Sequence, residues 1–244
     1  MFSNPCFFND PFDAFPAFGP FAEKQMDYVA KREFAFLPPG VQENYHAYRA
    51  KIDERRPLVQ LRAQTAYPVR YKRELGNTIG VMCLSEKHDN ILMLSHYADS
   101  HRGVVVGFNP QRLGTLGDLM RVDYKKRRPE FTAAKMVDVL FTKSSDWKYE
   151  MEVRLVSSMQ SLHAPDGSHK HFAPIDPTAV TDVFFGMSTV DRQPALERIA
   201  RLLLEPRWQH VRISLLAPSK DEFALETVAL DRKMIAEQLA TTSA

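Results

Sequence analysis

The sequence contains few of the residues from which common catalytic motifs are built. Only two of its 244 residues are cysteines, Cys6 and Cys83, and their separation fits neither a zinc motif nor a redox pair. Cys83 lies in an apolar segment, where we expect an inert thiol. With ten glycines, the chain carries no glycine-rich phosphate loop, Rossmann fingerprint or Gly-x-Ser-x-Gly elbow. These absences argue against the folds that such motifs mark.

Segments that direct a chain to a membrane are also lacking. No apolar run approaches the ~18 residues that a membrane-spanning helix needs. The N-terminus, MFSNPCFFNDPFD, has no basic region followed by a continuous apolar region, so we expect no signal peptide. We therefore expect a cytoplasmic protein that has no membrane partner.

Neither sign of charge predominates. The chain has 32 basic and 30 acidic residues and a net charge of +2, which argues against a strongly electrostatic nucleic-acid binder. One basic run, formed by Lys125, Lys126, Arg127 and Arg128, follows Tyr124. It could contact the phosphates of a nucleic acid or form the solvated end of a hairpin, and the sequence leaves both interpretations open.

Apolar periodicity predicts a mixed α+β fold. Strands are expected at 81–84, 104–108, 119–124, 151–156 and 180–185. Helices are expected at 23–33, 41–56, 91–99, 130–141 and 191–204. Because the chain has no repeat and no clear linker, we expect one domain over 1–244, in which 187–244 contribute a helix, two strands and a terminal helix.

The N-terminal segment combines aromatic residues with prolines. Nine of the sixteen phenylalanines and four prolines lie in its first 36 residues. The prolines exclude a regular helix, and the aromatic residues favour a packed segment over a solvated tail. We expect Phe8, Phe12 and Trp147 to be largely buried around a turn at Asn9 and Asp10.

The polar residues of this turn are expected to organise the backbone. Asn and Asp side chains readily accept hydrogen bonds from nearby amides. We predict this structural role for Asn9, Asp10 and Asp13.

The segment DWKYEMEVRLV, residues 146–156, carries charged side chains at alternate positions. On a strand, Glu150, Glu152 and Arg154 would share one face, and the apolar residues between them would share the other. The row is either a surface ladder of ion pairs or the edge of an active site.

The histidines do not form a metal motif. Six of the eight form two groups, one containing His88, His96 and His101 and the other containing His163, His169 and His171. Neither group has the spacing of a zinc site. We therefore expect no metal.

Four motifs follow one another along the chain: FSNPCFFNDPFD, CLSEKHDNILMLSHYADSHRGVVVGF, WKYEMEVRLV and DPTAVTDVFFG. In this order they resemble the bacterial family of uncharacterised proteins called DUF2971. The resemblance covers roughly residues 1–186. Leu94 stands where the family usually has tryptophan. The family also usually begins some tens of residues earlier, so we expect either a shortened member or a true start upstream of Met1.

The layout of that family looks like that of ADP-ribosyltransferases, which implies NAD as the substrate. By this resemblance Glu152 would be catalytic, because a carboxylate stabilises the positive charge that develops on the ribose. Glu150 would orient the acceptor. The remaining residues implied to bind the nucleotide are Ser3, Asn9, Asp10, His96, Tyr97 and Arg154, with Ser3 under the nicotinamide end.

Three functional hypotheses follow. The first is an NAD-dependent ADP-ribosyltransferase of bacterial conflict or phage defence, with an unknown acceptor. The second is a non-catalytic nucleotide- or protein-binding module that uses the helix of His96 and Tyr97 and the Phe-Asn-Asp-Pro-Phe-Asp loop. The third is a degenerate member that keeps the fold without activity.

Overall fold

Short apolar and β-branched runs form the strands of this chain, and amphipathic segments form its helices. The computed structural model describes residues 1–17, 23–38, 44–130, 136–165, 170–188 and 193–242. Helices and strands alternate along these residues, and the predicted mixed α+β fold is confirmed. Among them, no helix is both long and apolar enough to cross a membrane.

The helices are α1 (Glu23–Ala35), α2 (Tyr45–Glu54), α3 (Arg56–Thr78), α4 (Ile91–Tyr97), α5 (Pro110–Leu113), α6 (Met136–Leu140), α7 (Gln193–Leu203) and α8 (Arg232–Thr242). The strands are β1 (Phe2–Ser3), β2 (Ile79–Ser85), β3 (Val104–Phe108), β4 (Asp118–Arg121), β5 (Asp123–Lys125), β6 (Thr142–Ser144), β7 (Glu152–Ser158), β8 (Lys170–His171), β9 (Val180–Phe185), β10 (Arg212–Pro218) and β11 (Leu225–Ala229).

The chain divides into two compact units, which are described separately. The first unit comprises Met1–Asn4, Thr78–Tyr124 and Ser145–Ala244. The second comprises Pro5–Asn77 and Lys125–Ser144.

Two sheets form the first unit. One has the order β4-β7-β2-β1-β8 and the other the order β11-β10-β9-β3. Strand β7 is antiparallel to both of its neighbours, β2 and β4, so it lies in the interior of its sheet. In the second sheet, β9 and β10 are parallel, and the intervening segment contains α7 as the crossover that parallel strands require.

Each sheet of the first unit has its own apolar cluster. Leu155 of β7 packs with Phe2 and Leu113, and all three are at most 1% exposed. In the other sheet, Val183 of β9 and Ile213 of β10 are among the buried strand residues of a cluster that also includes Leu203 of α7. The apolar side chains of β7 therefore pack in the core. The charged side chains on its other face need polar or charged partners.

The second unit contains the N-terminal segment and helices α1–α3. Buried Ala30 and Ile52 join α1 to α2, and the Tyr45 hydroxyl donates to the Asp27 carboxylate at 2.5 Å. Helix α3 runs 23 residues with Pro68 inside it, although proline removes one hydrogen bond of a helix interior.

The N-terminal turn agrees with its prediction only in part. The Asp10 carboxylate accepts a hydrogen bond from the Phe12 amide at 2.9 Å, which confirms its backbone role. The prediction that the aromatic residues are largely buried was wrong. Phe12 is 57% exposed, and Phe8 and Trp147 are half-buried, because Asp10 and Asp13 take the buried positions instead.

The predicted elements also need corrections. The strands at 104–108 and 180–185 are confirmed, whereas 119–124 is divided between β4 and β5. Cys83 is exposed, although it lies in an apolar segment, and the inertness of its thiol stays a prediction. Positions 41–43, 131–135, 169 and 191–192 lie outside the described residues.

We predict that Gly117→Ala destabilises the first unit by about 2 kcal/mol or more. Gly117 has φ +157°, and an added Cβ would overlap the Val156 carbonyl oxygen of β7. The free energy of unfolding in urea measures the effect. Gly114→Ala is the matched control, because no atom lies within 4 Å of its Cβ position and its backbone is helical. Equal stabilities of the two variants would contradict the prediction.

Candidate functional site

The candidate site is built on the first residues of β7. Glu152 pairs with Ser85 of β2, and Arg154 pairs with Cys83. Because side chains alternate along a strand, Glu152 and Arg154 share the face opposite Leu155. The sequence prediction that these two charges share one face is therefore confirmed.

Their environment differs from the expected surface ladder. The Glu152 and Arg154 side chains are 3% and 0% exposed. Arg154 Nε donates to one carboxylate oxygen of Glu152 at 2.8 Å, and Nη2 donates to the other at 3.2 Å. A bidentate guanidinium–carboxylate pair is among the strongest charge-assisted interactions. The surface-ladder interpretation was wrong, since both charges are desolvated and satisfy each other.

Glu150 does not continue the row. It ends a 3-10 turn over Ser145–Glu150, and Met151 follows with φ +43°. A left-handed residue costs roughly 1–2 kcal/mol and here reverses the direction of the chain before β7. The prediction that Glu150 lies on the strand face was therefore wrong.

Glu150 is nevertheless buried and hydrogen-bonded. Its carboxylate accepts a hydrogen bond from the Tyr97 hydroxyl at 2.7 Å. Its carbonyl oxygen accepts one from the Ser85 hydroxyl, also at 2.7 Å. These contacts tie the turn to β2 and α4, and they give Glu150 and Tyr97 a shared structural role.

A cleft of about 670 Å³ opens beside Glu152. Its polar lining residues are Glu86, Lys87, Asp89, Asn90, Arg121, Tyr124, Lys148, Tyr149 and Glu152. Its apolar lining residues are Ile91, Leu92, Val122, Met151, Phe223, Ala224 and Leu225. The volume is within the range of small-molecule sites.

The charges in the cleft are partly balanced. Arg121 is paired with Glu86 at 2.7 Å, and this hydrogen bond raises the pKa of the Arg121 guanidinium. Glu152 is already paired with Arg154. Lys87 and Lys148 then remain, against the single carboxylate of Asp89, so the free charge of the cleft is slightly positive.

Two half-buried tyrosines give the cleft an aromatic component. The Tyr124 hydroxyl accepts a hydrogen bond from the Glu152 amide at 2.7 Å, which fixes its ring at the start of β7. The Tyr149 carbonyl oxygen accepts one from the Asn90 side chain at 3.0 Å. The Tyr124 ring is therefore held through its hydroxyl, and Tyr149 is held through its backbone.

The structure brings together only part of the predicted site. Of the residues predicted from sequence in the first unit, Glu152 lines the cleft, whereas Ser3, His96, Tyr97 and Arg154 are not among its described lining residues. Ser3 lies in β1 and pairs with β2 and β8. The exposed His96 ring lies 6.3 Å from that of Tyr149.

Asn9 and Asp10 belong to the second unit, so their assignment to a nucleotide site stays a prediction. Glu150 also lies outside the set of described residues that line the cleft. Among the residues that the structure describes, no group of three or more His, Cys, Asp or Glu side chains could hold a metal ion.

Sequence reasoning missed most of the cleft. Arg121 stands in none of the quoted motifs, and Lys87 and Lys148 lie inside two of them without having been marked as site residues. The lining comes from four segments between residues 86 and 225. The available signal was the aromatic residue Tyr149, which directly precedes Glu150. The pairing of β7 with β2 and β4 brings three of these segments together, and the fourth comes from the loop after β10 and the start of β11.

Comparison of the chain with known protein families, curated proteins and solved structures finds no match. The resemblance to the DUF2971 family and the ADP-ribosyltransferase-like layout therefore stay predictions.

We predict that Arg154→Met lowers the free energy of unfolding by about 3–5 kcal/mol, because it leaves the Glu152 carboxylate buried without its counterion. The double variant Glu152→Leu/Arg154→Met should recover part of this loss, since it removes both charges. Urea denaturation of the two variants measures the difference.

The control is an exposed pair in the same chain. Arg70 and Glu74 of α3 are 75% and 62% exposed, and Arg70→Met should change stability by less than about 1 kcal/mol. A double variant as unstable as Arg154→Met would show that the loss arises from packing and not from the unpaired charge.

Proposed function

We propose that the protein binds a nucleotide in the cleft beside Glu152, with NAD as the candidate ligand. The observation that carries this proposal is the combination of two tyrosines and two lysines in one cleft of about 670 Å³. Aromatic rings suit the flat bases of a nucleotide, and lysines suit its phosphates as point charges.

The charge state of the cleft supports a phosphate-bearing ligand. Because the carboxylates of Glu152 and Glu86 are each held by an arginine, they oppose a phosphate less than free carboxylates would. Lys87 and Lys148 are both exposed and can reach a ligand without breaking a buried contact.

A second candidate function is cleavage of NAD followed by ribosyl transfer. It is favoured by the position of Glu152, the buried carboxylate in the cleft wall. In this reaction the bond between nicotinamide and the ribose C1′ breaks, nicotinamide leaves with the electron pair, and an acceptor nucleophile forms the new bond to C1′. Glu152 would stabilise the positive ribose in between. This activity would suit a role in bacterial conflict or phage defence.

The contacts of Arg154 favour nucleotide binding over ribosyl transfer. A guanidinium bonded to both Glu152 oxygens offsets the negative charge that ribosyl transfer requires. Binding needs no such free charge. Nucleotide binding is therefore the function that the geometry supports best, and transfer is the further activity to test.

We predict that titration calorimetry detects NAD binding and that Lys87→Ala and Lys148→Ala each weaken it by about tenfold, because one charge-assisted hydrogen bond contributes roughly 1.5–3 kcal/mol. The matched control is Lys220→Ala, an exposed lysine outside the cleft lining. Nicotinamide riboside, which lacks phosphate, should be insensitive to both cleft variants. No heat with NAD, AMP or ADP would contradict the proposal.

Nicotinamide release from NAD, followed by proton NMR over a range of acceptors, tests the second candidate. Transfer requires release by the wild-type protein and its loss in a folded Glu152→Gln variant. NAD binding without release would leave the binding function standing alone.

A further inference from the structure

A basic and aromatic surface lies in the second unit. It contains exposed basic residues of the run at positions 125–128 and two N-terminal phenylalanines. We name it the Arg128 surface and define it by Phe12, Phe15, Lys126, Arg127 and Arg128. We propose that the Arg128 surface binds single-stranded nucleic acid.

The aromatic part of this surface is exposed and ordered by contact. Phe12 is 57% exposed, so its side chain is open to solvent. The Phe12 and Phe15 rings meet edge to face at 6.4 Å. The Arg128 guanidinium lies 5.5 Å from the Phe12 centroid and 5.4 Å from that of Phe15, within cation–π range.

The basic part is joined to the aromatic part through the backbone. The Ala17 amide donates to the Pro129 carbonyl oxygen at 2.9 Å, which holds the end of the phenylalanine segment beside the end of the basic run. Lys126 and Arg127 have no carboxylate partner within the part of the chain that the structure describes. Their charges are therefore available to a ligand.

The acidic residues of the N-terminal segment do not offset this charge. Asp10 and Asp13 are 4% and 2% exposed. Asp13 lies 3.8 Å from the buried Lys143 ammonium group, and Asp10 bonds the Phe12 amide. Two exposed carboxylates, Asp123 and Glu130, flank the basic run within two residues in the sequence and offset only part of its charge.

These features together match a single strand better than a duplex. Basic side chains contact phosphates of either form, whereas aromatic rings stack on bases that are already unpaired. Phe12, held by Arg128, offers a ring with about half of its surface open. RNA and single-stranded DNA share this chemistry, and the experiment separates them.

The test uses fluorescence anisotropy of the full chain with labelled 15-nucleotide RNA, single-stranded DNA and duplex DNA between 50 and 200 mM salt. We expect a single strand to bind best, with log affinity falling against log salt by about 0.7 for each phosphate contacted. The variant Lys126→Ala/Arg127→Ala should reduce that slope by about 1.4. Phe12→Ala should weaken binding about tenfold without changing the slope, because it removes stacking and no charge.

The matched control is Lys220→Ala/Lys233→Ala, which removes two exposed charges from the first unit and should leave binding unchanged. Circular dichroism of each variant checks folding, and both Phe12 and the basic run are exposed enough for the substitutions to be tolerated. Absence of binding at 50 mM salt, equal effects of the control, or a preference for anionic phosphatidylserine vesicles over every oligonucleotide would overturn the proposal.

Discussion

The first unit depends on one ion pair inside an interior strand. Glu152 and Arg154 are two residues apart on β7, and their side chains are almost completely buried. Removing either charge from water costs several kcal/mol, and their attraction offsets this cost only with good geometry. The bidentate contact supplies that geometry, so the two residues must be kept or replaced together.

The turn before β7 places residues of the cleft wall next to this ion pair. Met151 adopts a left-handed conformation, and its carbonyl oxygen accepts a hydrogen bond from the Glu86 amide at 3.0 Å. The turn thereby holds Glu150 against Tyr97 and leaves Tyr149 and Lys148 in the cleft wall. The segment from Lys148 to Arg154 therefore contributes both a buried charge pair and part of an open cleft within seven residues.

Local sequence patterns predicted the strands and the faces of their side chains, but not what packs against those faces. The apolar runs of β3 and β9 identified both strands at their observed bounds, and alternation placed Glu152 and Arg154 on one face. Alternation could not predict that this charged face is buried, because burial is set by what packs against the strand. Nor could it predict the left-handed Met151, since methionine has no preference for that conformation.

Local sequence patterns could not predict the cleft, for a different reason. Lys87, Tyr124, Tyr149 and Phe223 are brought together by strand pairing and by the loop after β10, and no spacing along the chain encodes their proximity. Of the residues that the sequence resemblance marked, Glu152 lines the cleft. His96 and Tyr97 lie on the same helix as the cleft residues Ile91 and Leu92, about one turn or more further along.

The same ion pair separates the two functions that the cleft could serve. A ribosyl cation forming in the cleft would compete with Arg154 for the charge of Glu152, and Arg154 is held in place because it is entirely buried. Transfer would therefore require the pair to loosen or the carboxylate to use its remaining lone pairs. Binding through Lys87, Lys148 and the tyrosines requires neither change. An arginine fixed on the strand thus favours recognition of a nucleotide over its cleavage.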